Sequence, residues 1–336
     1  MRIVTIEPEP AAPHGPDRVR LTVRADTGHV GAADASLPGR ASSVIALLSS
    51  LAPGLVGSDP FDTEALIDRH LVRAPGRAGD IEATAVSLIE VACRDLAGRC
   101  LGLPVYRLLG GAVRDRIPAR AVGWMPPEPT PEGVTRAALG VAAAGFRALA
   151  FSPFGPGPIP PDPPASLLRG ALRLVEIVRA AVGPEVSVRL DLEGRLLPAA
   201  ASRFLRMLDR VGPVSVADPV LPAHLPLTTE VPVSAGHRLN VRDDVFAVLA
   251  RRGCATVCLD LTRCGGFTEA KKIAALAESH GVSISLRNLS GPRAGVAALH
   301  LAATLTNLDH VEMPADGLPP TVCIEGNLLL PDGPGL

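Results

Sequence analysis

The sequence predicts a protein of the α/β class, a TIM-like parallel (β/α)7β barrel carrying a smaller α+β cap. Three observations lead there. From residue 117 onward, short apolar strands alternate with amphipathic helices, and seven strand–helix units precede a last strand. Before residue 113 that alternation is absent, and turn-punctuated strands are followed by helix. Several of the later strands also end in a charged residue, at the end where a parallel barrel keeps its chemistry.

The first sixty residues read as a small sheet. Strands are expected at 2–6, 19–23 and 30–32, with a turn at Thr27-Gly28. Residues 62–98 read as helix, with Asp80 or Thr84 as entry signals and Ala85, Leu88, Ile89, Ala92 and Cys93 on one face. A helix stopped by Gly102 and Pro104 and a short one closed by Gly110-Gly111 mark a boundary. The expected division is a capping domain at 1–112, a barrel at 113–315 and a tail at 316–336 that packs back on the cap.

Barrel strands are expected at 117–124, 146–152, 186–191, 214–218, 231–237, 255–260, 282–287 and 310–312. Helices are expected at 165–182, 198–208, 241–251 and 293–305. The clearest run is 258–303, which reads strand, helix, strand, helix. Its Gly265-Gly266 turn opens a helix with Ile273, Leu276 and Ala277 on one side, and Gly281 ends that helix.

With 336 residues, 47% of them hydrophobic, the chain can bury a large core and a smaller one. A net charge of −1 points away from nucleic acid and from anionic membranes. No apolar run approaches a membrane span, and the start MRIVTIEPEP lacks the pattern of a secretory leader. The six cysteines form no C-x-x-C pair and read as reduced core residues, which places the protein in the cytoplasm.

A period of two assigns the strand faces. In 186–191, Val186, Val188 and Leu190 face the helices, leaving Arg189 and Asp191 inward. In 255–260, Thr256, Cys258 and Asp260 face inward. The resulting top ring holds Ala150, Asp191, Ala217, His237, Asp260, Arg287 and Glu312, with Ser152 at the rim. Asp218 could stand in as a ligand from the position after Ala217, but the same parity points it away. Trp124, Ser152, Arg189 and Asn288 are the expected substrate contacts; Arg189, beneath Asp191, also reads as a buried structural pair.

The segments AVSLIEVACRDLAGRCLGLPVYRLLGG (85–111), GFRALAFSPFG (145–155), VRLDLEGR (188–195), VADPV (216–220), SAGHRL (234–239), CLDLTRCGGFTEAKKIAALAESHGV (258–282) and PDGPGL (331–336) resemble the enolase superfamily, in its mandelate racemase/muconate-lactonizing branch. The FSPFG wording is most similar to acid-sugar dehydratases. The resemblance implies abstraction of a proton next to a carboxylate, with Mg²⁺ held by acids on successive strands and a Lys or a His–Asp pair as base. It also implies a homo-oligomer.

Here Asp191 stands in the first ligand place, but Ala217 and His237 stand in the next two. Ala150 occupies the lysine place and Arg287 the histidine place. The chain's two lysines, Lys271 and Lys272, lie on an outer helix. No metal ligand set and no cofactor are therefore expected, although the family implies Mg²⁺.

The expected catalytic group is Asp260, Arg287, His237, Glu312 and Asp191. Arg287 would replace the ion as the positive centre, gripping a substrate carboxylate or pairing with Asp260. His237 could be a general base, a ligand to a softer metal, or a histidine satisfied by a carbonyl. Two functions stay open at this point. One is a metal-independent isomerase, cyclase or lyase acting on a small, anionic molecule; the other is a non-catalytic protein that binds a ligand or serves as a scaffold.

Overall fold

The computed structural model of the chain describes residues 1–11, 17–74, 78–160, 162–236, 238–288, 290–315 and 323–336. It opens with an antiparallel sheet of β1 (Ile3–Pro10), β2 (Arg18–Ala25) and β3 (Val30–Ser36), in that order. Alternation buries Val19, Leu21 and Val23 of β2 together with Ala33 and Ala35 of β3.

Helices α1 (Ala41–Leu55) and α2 (Thr63–Ile67), a π-helical turn at Asp68–Val72 and α3 (Asp80–Leu101) complete most of the cap. Two expectations are corrected here. Residues 41–55 form helix, not sheet: Ala41, Val44, Leu48 and Leu55 are buried at helical spacing, and Pro53 lies in the last turn, where it removes one backbone donor close to the helix end. The helix expected over 62–98 is in pieces, and α3 starts at Asp80, where the Glu82 carboxylate accepts from Gly79 N at 3.0 Å.

The cap sheet lies directly on α3. A Cβ at Gly31 would sit 2.2 Å from Ala92 O, so β3 approaches the helix as closely as only glycine permits.

After α4 (Val105–Leu108) the barrel runs β4 (Arg116–Val122), α5 (Pro131–Ala143), β5 (Ala148–Phe151), α6 (Ala165–Val182), β6 (Ser187–Asp191), α7 (Pro198–Leu208) and β7 (Val214–Ala217). A 3-10 turn at Pro222–His224 stands in for a helix before β8 (Val233–Ala235). Then come α8 (Arg242–Leu249), β9 (Thr256–Asp260), α9 (Gly266–Ser279), β10 (Ser283–Arg287), α10 (Pro292–Ala303) and β11 (Leu308–Pro314).

Each of these eight strands pairs in parallel with the next, and β11 pairs with β4 to close the barrel. Register places Asp191 beside Ala217 and Arg287 beside Asp260. Helices bury their apolar faces against the barrel, as with Val175 and Val178 of α6 and Phe204 and Leu208 of α7.

The tail divides its contacts. Strand β12 (Asn327–Leu329) pairs antiparallel with the start of β4, and the last residues return to the cap. There Gly335 N donates to Leu103 O at 3.0 Å and Leu336 N to the Asp95 carboxylate at 2.8 Å. Among the described residues no helix is long and apolar enough to cross a membrane.

Candidate active site at the barrel mouth

Strand alternation in β6 sends Arg189 and Asp191 into the barrel, and β10 and β11 send in Arg287 and Glu312. The side chain of Arg189 is 1% exposed. Its Nε donates to Asp191 Oδ1 at 3.0 Å, one Nη bonds Glu312 Oε1, and the other reaches Ser285 Oγ at 3.3 Å and Cys258 Sγ at 3.7 Å. The expected contact between Arg189 and substrate is thus corrected. Its donors are taken up inside the barrel, where they hold two acids in place.

Above it lies Arg287, 8% exposed, with its three nitrogens turned toward three carboxylates. Asp191 Oδ2 and Asp218 Oδ2 are each 3.9 Å away, and Glu312 Oε2 is 3.8 Å away. Burial works against the charge on Arg287, but Glu312 and then Asp191 outweigh it and keep the guanidinium protonated. Burial likewise opposes ionisation of Asp191, and Arg189 followed by Arg287 overcomes it, holding that carboxyl below its ordinary value.

Asp218 is where strand parity fails. It follows β7 with φ of 47°, and that left-handed turn swings its carboxylate back into the barrel, against the expectation that it points away. Gly236 N donates to its Oδ1 at 2.9 Å. Position 236 accepts only glycine, because a Cβ there would lie 1.7 Å from Cys258 O. His237, expected in the same ring, lies outside the described residues.

Asp260 is anchored to the loop after its own strand and not to Arg287. Its Oδ1 accepts from Thr262 N at 2.9 Å and Thr262 Oγ1 at 2.7 Å, and Arg263 Nε lies 3.6 Å from Oδ2. The same loop holds the cap. Thr262 Oγ1 and Ser290 Oγ are 3.1 Å apart, Ser36 N donates to Ser290 Oγ at 2.9 Å, and Arg263 donates to Ser36 O at 2.8 Å. Asp260, expected in the catalytic group, therefore has one carboxylate oxygen engaged by the loop that anchors the cap.

The other expected contacts are also partly committed. Trp124 is buried, donates from Nε1 to Ala150 O at 2.9 Å and meets Phe151 edge-on at 5.5 Å. Ser152 stays at the rim, where its hydroxyl accepts from Arg195 at 2.6 Å; the same guanidinium donates to Gly155 O and Gly157 O. Asn288 is buried, with Oδ1 taking Ser290 N at 3.3 Å and Nδ2 at 3.9 Å from Met313 Sδ. It shapes the loop, and its amide does not open on the mouth as a substrate contact would.

One layer lower, Arg120 lies 3.4 Å from Asp309 and 3.2 Å from His310 Nδ1. Burial lowers the His310 pKa, against the pull of the Asp309 carboxylate 2.9 Å from Nδ1. Burial raises the Cys258 thiol to about 11, which leaves it protonated and inert.

These residues do not fit a divalent ion. Mg²⁺ wants several oxygens in octahedral array, whereas here a guanidinium sits among the acids, a second one holds two of them, and Ala217 supplies no donor. Among the described residues no group of three or more His, Cys, Asp or Glu side chains could hold a metal.

Sequence parity turned Asp218 the wrong way, and nothing in the sequence reading pointed to the Arg195 clamp or the Thr262–Ser290–Ser36 tie. An Asp-Pro pair at a strand end was a usable signal for the first, since Asp tolerates left-handed backbone. The tie joins positions far apart in sequence and has no local signal.

Residues 133–336 match the family described as enolase C-terminal domain-like, and residues 14–110 match the mandelate racemase/muconate lactonizing enzyme N-terminal domain. Similar curated proteins include the D-galactonate dehydratases of Verminephrobacter eiseniae, 32% identical, and Ralstonia nicotianae, 33% identical. Each aligns over 287 residues, 84% of this chain and 74% of the relative. Among solved structures, a mandelate racemase/muconate lactonizing enzyme-like protein from Rubrobacter xylanophilus superposes with TM-score 0.86 at 30% identity, over 99% of this chain and 94% of its own. A mandelate racemase/muconate lactonizing enzyme from Jannaschia sp. CCS1 does so with TM-score 0.87 at 27% identity, over 100% and 94%.

Proposed function

We propose that this chain, which belongs to the mandelate racemase/muconate-lactonizing branch of the enolase superfamily, moves protons on a small polyhydroxylated molecule without a divalent ion. The observation that carries this reading is Arg287, a buried guanidinium within 3.9 Å of three carboxylates. A fixed positive charge can stabilise the oxygen of an enolate as it forms, and a single preorganised donor of this kind contributes about 3 kcal/mol. The relatives named D-galactonate dehydratases support the polyhydroxylated class of ligand.

Asp191 is the proton acceptor. Its side chain is 15% exposed at the mouth, whereas those of Asp218 and Glu312 are 4% and 1% exposed. It takes the proton next to a carbonyl, and the C–H electrons move onto the carbonyl oxygen beside Arg287. Returning the proton to the opposite face of the same carbon, as the oxygen's electrons re-form the carbonyl, gives an epimer; passing it to a hydroxyl departing from the next carbon expels water and restores the Asp191 carboxylate. A carboxyl held below its ordinary value is a weak base, so the fixed charge has to contribute much of the rate.

The test is exchange of carbon-bound hydrogen in deuterated water, followed by NMR on galactose, galactonate and galactosamine with EDTA-treated protein. Exchange that persists in EDTA and is lost in Asp191→Asn is expected. Exchange restored only by Mg²⁺ would overturn the proposal. A second reading, a binding protein without catalysis, is favoured by the bond from Arg189 that occupies Asp191 Oδ1; ligand binding with no exchange at all would select it.

A further inference from the structure

A cleft of about 130 Å³ lies between β1, the end of α1, α2 and α3, and every residue lining it belongs to the cap. Its walls are Ile3, Leu55, Leu66 and Ile89 and its floor is Cys93, each less than a tenth exposed. Aliphatic walls of this kind offer water no hydrogen-bond partner. Burial pushes the Cys93 thiol up to about 12, so the floor is protonated and uncharged as well.

Gaps of this size are few in a native protein, because side chains close them at native packing density. Here the two sides are pinned apart. Ile3 N donates to Ser58 O at 3.0 Å and Gly57 N to Ile3 O at 2.8 Å, which ties the loop after α1 to β1. Thr63 Oγ1 accepts from Arg94 at 2.7 Å and lies 3.1 Å from Thr268 Oγ1, which ties the start of α2 to α3 and α9. Neither side can settle onto Ile89 and Cys93 without breaking those bonds. The π-helical turn after α2, where Arg73 N donates to Asp68 O at 2.8 Å, carries Arg69 and His70 to the cleft. Turns of this kind are rare and recur at functional sites.

Polar groups gather at the rim. Asp62 makes no side-chain bond to the helix it starts, and burial followed by Arg69 lowers the His70 pKa, which favours the uncharged imidazole. We infer that this cleft binds a small uncharged ring bearing one hydroxyl, with the ring against Ile3, Leu55, Leu66 and Ile89 and the hydroxyl at Asp62 or His70. A cavity of about 150 Å³ with apolar walls takes up benzene, so a six-membered ring is the size class that fits. A charged ring would lose its hydration among these walls. The inference is independent of the chemistry proposed for the barrel mouth.

Phenol, benzene and benzoate, titrated into the full-length protein at pH 7, test it, with the methyl NMR signals of Leu55, Leu66 and Ile89 as the local readout. Phenol and benzene should saturate a single site and shift those signals, phenol binding the tighter and benzoate weaker than phenol by roughly tenfold or more. Ala65→Phe, at an exposed position of α2 beside the cleft, closes it from outside without disturbing the core, and Cys93→Leu fills it from the floor. Each should weaken phenol by roughly tenfold or more. Uptake that does not saturate, saturation that leaves the three methyl signals in place, phenol affinity unchanged in Ala65→Phe, or phenol no tighter than benzene or benzoate would overturn the inference.

Discussion

Replacing Arg189 with Met tests the charge balance at its root. Met keeps much of the volume of the side chain but removes every donor that Asp191, Glu312 and Ser285 now receive from it. Glu312, 1% exposed, then keeps Arg287, 3.8 Å away, as its ion-pair partner among the described residues. Breaking a buried ion pair from one side costs about 3 to 5 kcal/mol, because the partner charge stays buried and uncompensated.

The pH dependence follows with a definite sign. In the native protein the Asp191 pKa is lowered, so its contribution is complete above the unfolded value and is lost as pH falls through the folded one. Without Arg189, the burial that opposes ionisation of Asp191 loses its largest counterweight, and the folded pKa of Asp191 rises. The folded state then holds protons the unfolded chain has released, and the deficit shrinks as pH drops from 7 toward 5. Urea unfolding followed by the fluorescence of Trp124, the chain's one tryptophan, reads both effects. Adding Glu312→Gln to Arg189→Met should return part of the loss. A loss below about 1 kcal/mol, or one that does not change with pH, would refute the argument.

Arg287→Met should lower thermal stability by a comparable amount, roughly 3 to 5 kcal/mol. Millimolar Mg²⁺ should restore part of it in the variant and leave the native protein unmoved, as read by differential scanning fluorimetry. His300 is buried, stacks on Tyr106 with ring centroids 5.7 Å apart, and accepts from Tyr106 N at 3.3 Å; burial lowers its pKa to about 4. The unfolded chain takes up that proton near its ordinary value, so stability should fall by up to about 3 kcal/mol as pH drops from 6.5 to 4, and denaturant midpoints of His300→Phe should lack that slope. Glu90 of α3 is fully buried and receives Phe267 N at 2.8 Å, Thr268 N at 3.2 Å and Thr268 Oγ1 at 2.7 Å at the start of α9. Glu90→Gln, which replaces a charged acceptor beside Arg94, should cost about 2 to 3 kcal/mol and show first as faster amide exchange in the opening turn of α9.

Periodicity carried the fold a long way because it is a local property that burial enforces. Val188 and Leu190 must face the helices, so Arg189 and Asp191 can only face inward, and a period of two is enough to say so. The same rule failed one residue beyond β7, where the backbone at Asp218 turns left-handed and reverses the direction of the side chain. It also placed Asp260 in the ring without revealing that Thr262 takes up its Oδ1, since competition among partners is settled in three dimensions. Helix α1 was legible from the spacing of Val44 and Leu48 and was obscured by the Ser and Pro residues around them. That Arg287 would face Asp191, Asp218 and Glu312 together depended on barrel closure between β11 and β4, a contact far apart in sequence.

The tie from Ser36 through Ser290 and Thr262 acts like a hinge on one jamb of a door. It fastens the cap to the ends of β9 and β10, and a bond from Asn240 to Asp80 fastens it next to β8. Among the described residues, no hydrogen bond joins the cap to the loops after β5, β6 or β7. On that opposite jamb the barrel's own loops hold one another, Arg195 gripping Ser152 and the Gly155–Gly157 turn.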